Sequence, residues 1–335
     1  MKFKKLAAIV LSTAALTACG SVQDQAKVPE AKDKWEAPQG LSGDLTFYSA
    51  NPQGLTDDLV QAFKEKTHVN VNVFSGETGK ITARLEAEKA NPKADLVYLA
   101  SENAAKKQAR TDAYEEFTLE GADKIHEGWA KGKYTGRDGS ALALVVSTKA
   151  TDQHLADWED LTKPEFKDKV IMPDPRESGT AADLVSAMVE KFGEQKTWDL
   201  FSRLFANGMV VQGANGPALD AVTSGSKAVV LGGVDYSAYA AKAKGEPLEV
   251  GMPSSGTSVT PRPVMILKTA KNKAAAEAFT NFMFSPEGQA IAAKHYMIPA
   301  RTDVKPAEGK PLDELQQLPA GKPDVRDKFA EHFLK

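Results

Sequence analysis

The sequence predicts an α/β protein: parallel sheets built from βαβ units and divided between two Rossmann-like lobes. Three observations carry that expectation. From residue 44 onward, runs with a period of two alternate with runs at helical spacing, the pattern of strands and helices taking turns in a parallel sheet. Short apolar runs such as DLVYLA (residues 95–100) read as strands buried on both faces. Beyond a leader and a polar stretch, roughly 290 of the 335 residues remain, long enough for two separate cores.

Residues 44–49 alternate, with Leu45 and Phe47 on one face, and form the first expected strand. Leu55, Leu59 and Phe63 recur at i, i+4, i+8, one face of a helix running to about Lys66. Val69, Val71 and Val73 alternate again. Ile81 and Leu85, with Ala83 and Ala87 beside them, continue as a second helix, and residues 95–100 as the third strand. A further strand, residues 141–147, follows a polar stretch. Pro164 and mixed charge mark a connection over a lobe surface, and Pro173-Asp174-Pro175 stops any regular element after a strand at 170–172. Helices are expected at about 180–192 and 195–206, with Gly208 at a C-terminal cap. Pro217 fits the first position of the next helix and Gly225 its end. Strands at 227–233 and 264–268 and a helix at 274–284 complete the pattern.

The N-terminus carries a separate message. Lys2, Lys4 and Lys5 precede an apolar stretch, residues 6–16, that has the length of a signal h-region and is too short to span a bilayer. Leu16-Thr17-Ala18-Cys19 resembles a lipobox, so residues 1–18 are expected as a lipoprotein signal peptide and Cys19 as the lipidated residue. Cys19 is the only cysteine, which excludes a disulfide within the chain. Residues 19–42, polar and Pro-containing, read as a flexible tether. The expected product is exported and lipid-anchored to a membrane, facing the periplasm or cell exterior. Removing residues 1–18 takes away three lysines, so the net charge moves from −3 to −6. With no basic run mixed with aromatics, a nucleic-acid partner is not expected.

Chemistry in open parallel sheets sits beyond the carboxyl ends of strands, where helix starts point. Five such junctions are rich in small hydroxyl residues. They are Ser49-Ala50-Asn51, then Ser75-Gly76-Glu77-Thr78-Gly79, then Ser101, Ser178-Gly179-Thr180, and Asn215-Gly216 before Pro217. Free N–H groups and the helix dipole favour anions there, while Ser, Thr and Asn also cap helices without any ligand. Asp235 and Tyr236 follow another strand end on the same side. SGETGKIT fails as a phosphate-binding P-loop, because Phe74 stands where glycine is needed and Ile81 where Ser or Thr is needed. No G-x-S-x-G elbow occurs, and the five histidines show no metal-ligand spacing. No catalytic residue, metal site or resident cofactor is expected.

Four passages carry a family resemblance: LTFYSANPQGLTDDLVQAFKEKT, VNVFSGETGKITARLEAEKANPKADLVYL, WEDLTKPEFKDKVIMPDPRESGTA and FMFSPEGQAIAAKHYMIPARTDVKP. In this order the chain resembles substrate-binding lipoproteins of ABC importers with the type II periplasmic-binding fold, in the group of ferric-ion, phosphonate and sugar-phosphate receptors. The resemblance implies two lobes joined by crossover hinge strands and closing on one solute, with a membrane permease as partner and a monomer as working unit. Lobe 1 would take residues 43–143 and 261–300, lobe 2 residues 144–260, with 301–335 as a C-terminal helical segment packed on the lobes. The chain switches would fall near Leu144 and Thr260. Ferric receptors of the group commonly use an adjacent tyrosine pair, often with a histidine on the first strand's loop. Tyr236 matches the first tyrosine, Ser237 occupies the second place, and Ser49-Ala50-Asn51-Pro52 has no histidine. The expected ligand is therefore a small anion, an organic phosphate or phosphonate. Ferric iron held through Tyr236 is the alternative in transport, and an exported phosphate-ester-processing enzyme the alternative outside it.

Overall fold

The computed structural model of the protein describes residues 25–335 apart from 30, 32 and 310. The leader and Cys19 lie outside the described residues. The first half-chain alternates as expected: β1 (Ser42–Ser49), α1 (Gln53–Lys66), β2 (His68–Ser75), α2 (Thr78–Ala87), β3 (Leu96–Tyr98) and α3 (Glu102–Ala109). A long strand, β4 (Thr135–Ser147), then leads into the second lobe. That lobe holds β5 (Val170–Met172), α4 (Gly179–Phe192), α5 (Glu194–Ala206), β6 (Val210–Val211), α6 (Asn215–Thr223), β7 (Val229–Val234), α7 (Asp235–Ala243) and β8 (Leu248–Gly251). The chain returns through β9 (Val259–Ile266) to α8 (Lys273–Phe284), α9 (Pro286–Lys294) and β10 (Ile298–Pro299), and ends in α10 (Val325–Phe333).

The strands run in the order β2-β1-β3-β9-β4-β7-β5-β6, with β8 and β10 pairing β4. β1 is parallel to β2 and β3, and β5 is parallel to β6 and β7. β4 and β9 run antiparallel to each other and join the two groups. β4 changes partners within its length: Thr135 to Ala141 pair with β9, whereas Leu142 to Ser147 pair with β7 and β8. Every residue of β4 is buried. Gly139 permits this, because a Cβ there would lie 2.6 Å from the Trp129 indole that covers the strand.

Burial follows the predicted faces. Leu55, Leu59 and Phe63 of α1 are fully buried against the sheet and α8. Phe63 lies 4.7 Å from Phe279, and Phe279 meets Phe47 edge-on at 5.3 Å. Truncating Phe63 in such a cluster costs about 3–5 kcal/mol. Gly208 and Gly225 have positive φ just beyond α5 and α6, the expected cap positions. α6 starts two residues earlier than expected, at Asn215, which puts Pro217 third. Proline is tolerated there because first-turn N–H groups have no intrahelical acceptor.

Three helices, α3, α7 and α9, carried no clear periodic signal. α3 buries only Asn103 and Ala105, and α9 packs mainly through small residues with one isoleucine. In the stretch expected as a tether, Trp35 sits 5.4 Å from Phe282 and 5.7 Å from Phe63. Upstream of it, the Ala26 N–H donates to the Lys294 carbonyl at 2.8 Å. At the other end, Phe329 of α10 packs edge-on to Phe201 of α5 at 4.8 Å, so the terminal helix covers lobe 2.

Candidate functional site: a cleft between the lobes

A cavity of about 390 Å³ opens between the lobes, on the side where helices begin. Lobe 1 contributes Pro52 and Gln53 at the start of α1 and Glu77 at the cap of α2. Lobe 2 contributes Gly179 from α4, Asn215 and Gly216 from α6, and Tyr236 and Ser237 from α7. Five helix starts thus converge on one space. First-turn N–H groups and helix dipoles at such starts favour an anion.

Arg262 of β9 supplies a full charge. The residue is 1% exposed, yet it lines the cavity. Its Nε donates to Asn51 Oδ1 at 2.5 Å, and its guanidinium lies 5.2 Å from the Tyr236 ring centre. Its Nη1 is buried with no hydrogen-bond partner among the described residues. Burial pulls the Arg262 pKa down, but the neighbouring Tyr236, Asp138 and Tyr98 outweigh it and raise the pKa, which keeps the group charged. Asp138 Oδ1 stands 3.8 Å from Arg262 Nε, while Asp138 Oδ2 accepts from Arg137 Nη1 at 2.7 Å and from the Tyr98 hydroxyl. Two buried guanidinium groups thus face one carboxylate, and the Arg262 charge also reaches the carboxyl groups of Asp235 and Glu77. Glu77, at the rim, has its pKa raised chiefly by desolvation, with Arg262 opposing and Glu177 adding.

Of the twelve residues the sequence marked, Ala50, Ser75, Gly76, Gly179, Asn215 and Tyr236 line this cavity. The other six do not. Ser49 is buried beneath the first loop, its Oγ 2.9 Å from Thr56 Oγ1. Ser178 caps α4 by accepting from the Ala181 N–H, and its hydroxyl donates to Asn215 Oδ1 at 2.9 Å. Thr180 Oγ1 accepts from Asn215 Nδ2 at 3.1 Å, so both hydroxyls hold the asparagine rather than face the space. Asp235 is buried at the start of α7, where it accepts from the Tyr236 N–H at 2.8 Å, and burial pushes its carboxyl up to about 7. Thr78 and Ser101 line a smaller neighbouring cavity of about 120 Å³ instead. Gln53 and above all Arg262 were missed, while Asn51 and Glu77 lie in marked loops without having been singled out as ligand residues. The only local hint at Arg262 is an arginine between two prolines, Pro261 and Pro263, in a passage read as leading up to a strand.

Comparison with known proteins agrees with this architecture. An uncharacterized protein of Haemophilus influenzae is 28% identical over 306 residues, covering 88% of this chain and 84% of the relative. Iron uptake protein A1 of Synechocystis is 25% identical over 302 residues, covering 86% and 81%. Among solved structures, the periplasmic binding protein AfuA from Actinobacillus pleuropneumoniae, with fructose-6-phosphate bound, superposes with a TM-score of 0.80 at 23% identity, covering 88% of this chain and 98% of that one. The fold is thus the type II periplasmic-binding fold. The family model for bacterial extracellular solute-binding proteins matches residues 91–327, well over half of the sequence, and the chain belongs to that non-enzymatic family.

Proposed function

We propose that this solute-binding protein closes its two lobes on a small organic phosphate or phosphonate and delivers it to an ABC permease. It would be held at the membrane by lipid on Cys19. One observation carries the ligand class: a buried arginine whose Nη1 has no partner among the described residues lies in a cavity on which five helix starts converge. A charge-assisted bond to an oxyanion is what such a nitrogen accommodates. The cavity volume of about 390 Å³ favours an anionic head with an organic body over a bare ion. Polar groups away from Arg262, including Gln53, Glu77 and Asn215, suit hydroxyl or amino substituents on that body.

Lobe 1 would comprise residues 43–143 and 261–300 and lobe 2 residues 144–260, with the hinge in β4 and β9, where β4 changes partners. Ferric iron is the second reading, supported by Tyr236 in the cavity and by the iron uptake relative. Against it, a buried guanidinium over the Tyr236 ring disfavours a trivalent cation at the same oxygen. The test is a thermal-shift screen of the protein with hexose phosphates, alkylphosphonates, sulfate and ferric citrate. A binder at a hundred times its Kd stabilises by about 2.7 kcal/mol. A shift with ferric citrate and none with any phosphate or phosphonate would overturn the proposal in favour of iron.

A further inference from the structure

Beside the cleft, the lobes touch at a place the solute cavity does not include. Ser101, at the start of α3 in lobe 1, donates its hydroxyl to Asp183 Oδ1 at 2.9 Å. The Glu102 N–H, next in the chain, donates to Asp183 Oδ2 at 3.1 Å. Asp183 belongs to α4 of lobe 2, so both oxygens of one carboxyl group are used across the lobe boundary. Ser101 is 2% exposed and Asp183 6%. The backbones are equally close: a Cβ on Gly179 would lie 2.7 Å from Ser101 Cβ and 2.9 Å from Thr78 Oγ1. Charged groups around the contact are themselves paired, Lys106 with Glu102 at 3.1 Å and Lys107 with Asp327 of α10 at 3.5 Å. Ser101 and Asp183 both border the smaller cavity of about 120 Å³.

Gly179 and Asp183 are one helical turn apart on α4, and that spacing links two regions. The first residue of the helix lines the solute cavity, and the fifth grips lobe 1. We propose that Asp183 and Ser101 form a latch that favours the closed arrangement of the lobes with or without solute, so that opening the cleft requires breaking these two bonds. This rests on the two-lobe receptor reading above. Asp183 is a positioning residue: it touches no solute, yet it sets how often Gly179 and Asn215 face the lobe 1 half of the site. The measured affinity then scales with the closed fraction, since a receptor that is closed only part of the time binds proportionally more weakly.

The test needs no solute, which separates it from the ligand proposal. Amide hydrogen exchange is followed on the full chain for wild type, Asp183→Ala, Asp183→Asn and Ser101→Ala. Loss of both bonds to the Asp183 carboxyl group is expected to raise exchange about tenfold or more, not only near Glu102 but on both cleft walls, around residues 76–80 and 215–218. Asparagine keeps one acceptor oxygen and should fall between alanine and wild type. A rise confined to the first turn of α3, or no rise, would overturn the latch and leave a local helix cap. Melting curves establish that each variant is folded, and if Asp183→Ala is not, Ser101→Ala on the opposite lobe decides the question in the same way.

Discussion

The solute cleft and the lobe contact beside it share one helix, α4, but they treat polar groups in opposite ways. At the contact, Asp183 takes two donors, and Ser101 both gives and receives, accepting from the Ala104 N–H at 3.1 Å. At the cleft, Arg262 Nη1 has no protein partner among the described residues; Asp138 Oδ1, Ser140 Oγ and Thr260 Oγ1 on the crossover strands behind the cavity, and Asn103 Oδ1 beside the contact, share that condition. Buried polar groups are normally satisfied, so an unsatisfied charged group lining a cavity, as Arg262 Nη1 does, marks where something other than the protein completes the bonding. Small hydroxyl residues at helix starts therefore have two uses in this fold. Some close the protein on itself, and others leave room for a ligand.

The sharpest way to break this comparison is Arg262→Gln. It removes the charge and keeps a polar side chain, and it should weaken binding of a phosphate or phosphonate roughly 100-fold, read by calorimetry, because bonds to charged groups are the strong ones. An unchanged affinity would mean that the unsatisfied nitrogen serves the hinge and not the solute.

The second-largest effect concerns pH. Burial pushes the Asp183 carboxyl up to about 7, with Glu102 adding and Ser101, the Glu102 N–H and Lys106 opposing. A carboxyl raised from 3.8 binds a proton in the folded state that it has lost in the unfolded state. Stability from this group is therefore greatest at low pH and declines as pH rises towards 7. Asp235 has the same shift, so only a difference measurement isolates Asp183. The stability of wild type minus that of Asp183→Asn should fall by an amount on the order of 2 kcal/mol between pH 5 and pH 8, measured by denaturant titration.

Gly179→Ala probes the point where the two regions meet. Its Cβ would press on Ser101 and Thr78, and the strain should lower affinity about tenfold, with little loss in melting temperature because the lobes can part to relieve it. Smallest is Ser178→Ala, and likewise Thr180→Ala. Each removes one bond that orients Asn215, so a roughly fivefold loss of affinity is expected, with an intact fold. Equal losses for these and for Arg262→Gln would erase the distinction between residues that face the solute and residues that hold those that do.

Legibility in the sequence followed the size and spacing of side chains. β1, α1 and β2 stood out because Leu45, Phe47, Leu55, Leu59 and Phe63 are large and periodic, and each is fully buried. α9 did not, since Pro286 to Lys294 buries alanines and a glycine whose close approach depends on what packs above them. The loops that reach the cleft were legible for a different reason. Capping residues announce a helix start whether or not a ligand sits there. Half of the marked residues therefore line the cavity, and the other half secure the framework around it.

By itself the sequence determined the order of the strands and helices that carry large periodic residues, several of the residues that cap them and the absence of any disulfide within the chain. These depend on neighbours within a few positions, where spacing and side-chain chemistry act directly. Only the tertiary structure decided which helix starts share a space, that Ser101 meets Asp183 instead of a solute, and that Arg262 belongs to the site. Arg262 bonds Asn51 across 211 residues of sequence. That meeting exists because β9 returns from lobe 2 between β3 and β4, and strand order in a sheet is set by the packing of the whole chain and leaves no mark on a local stretch of residues.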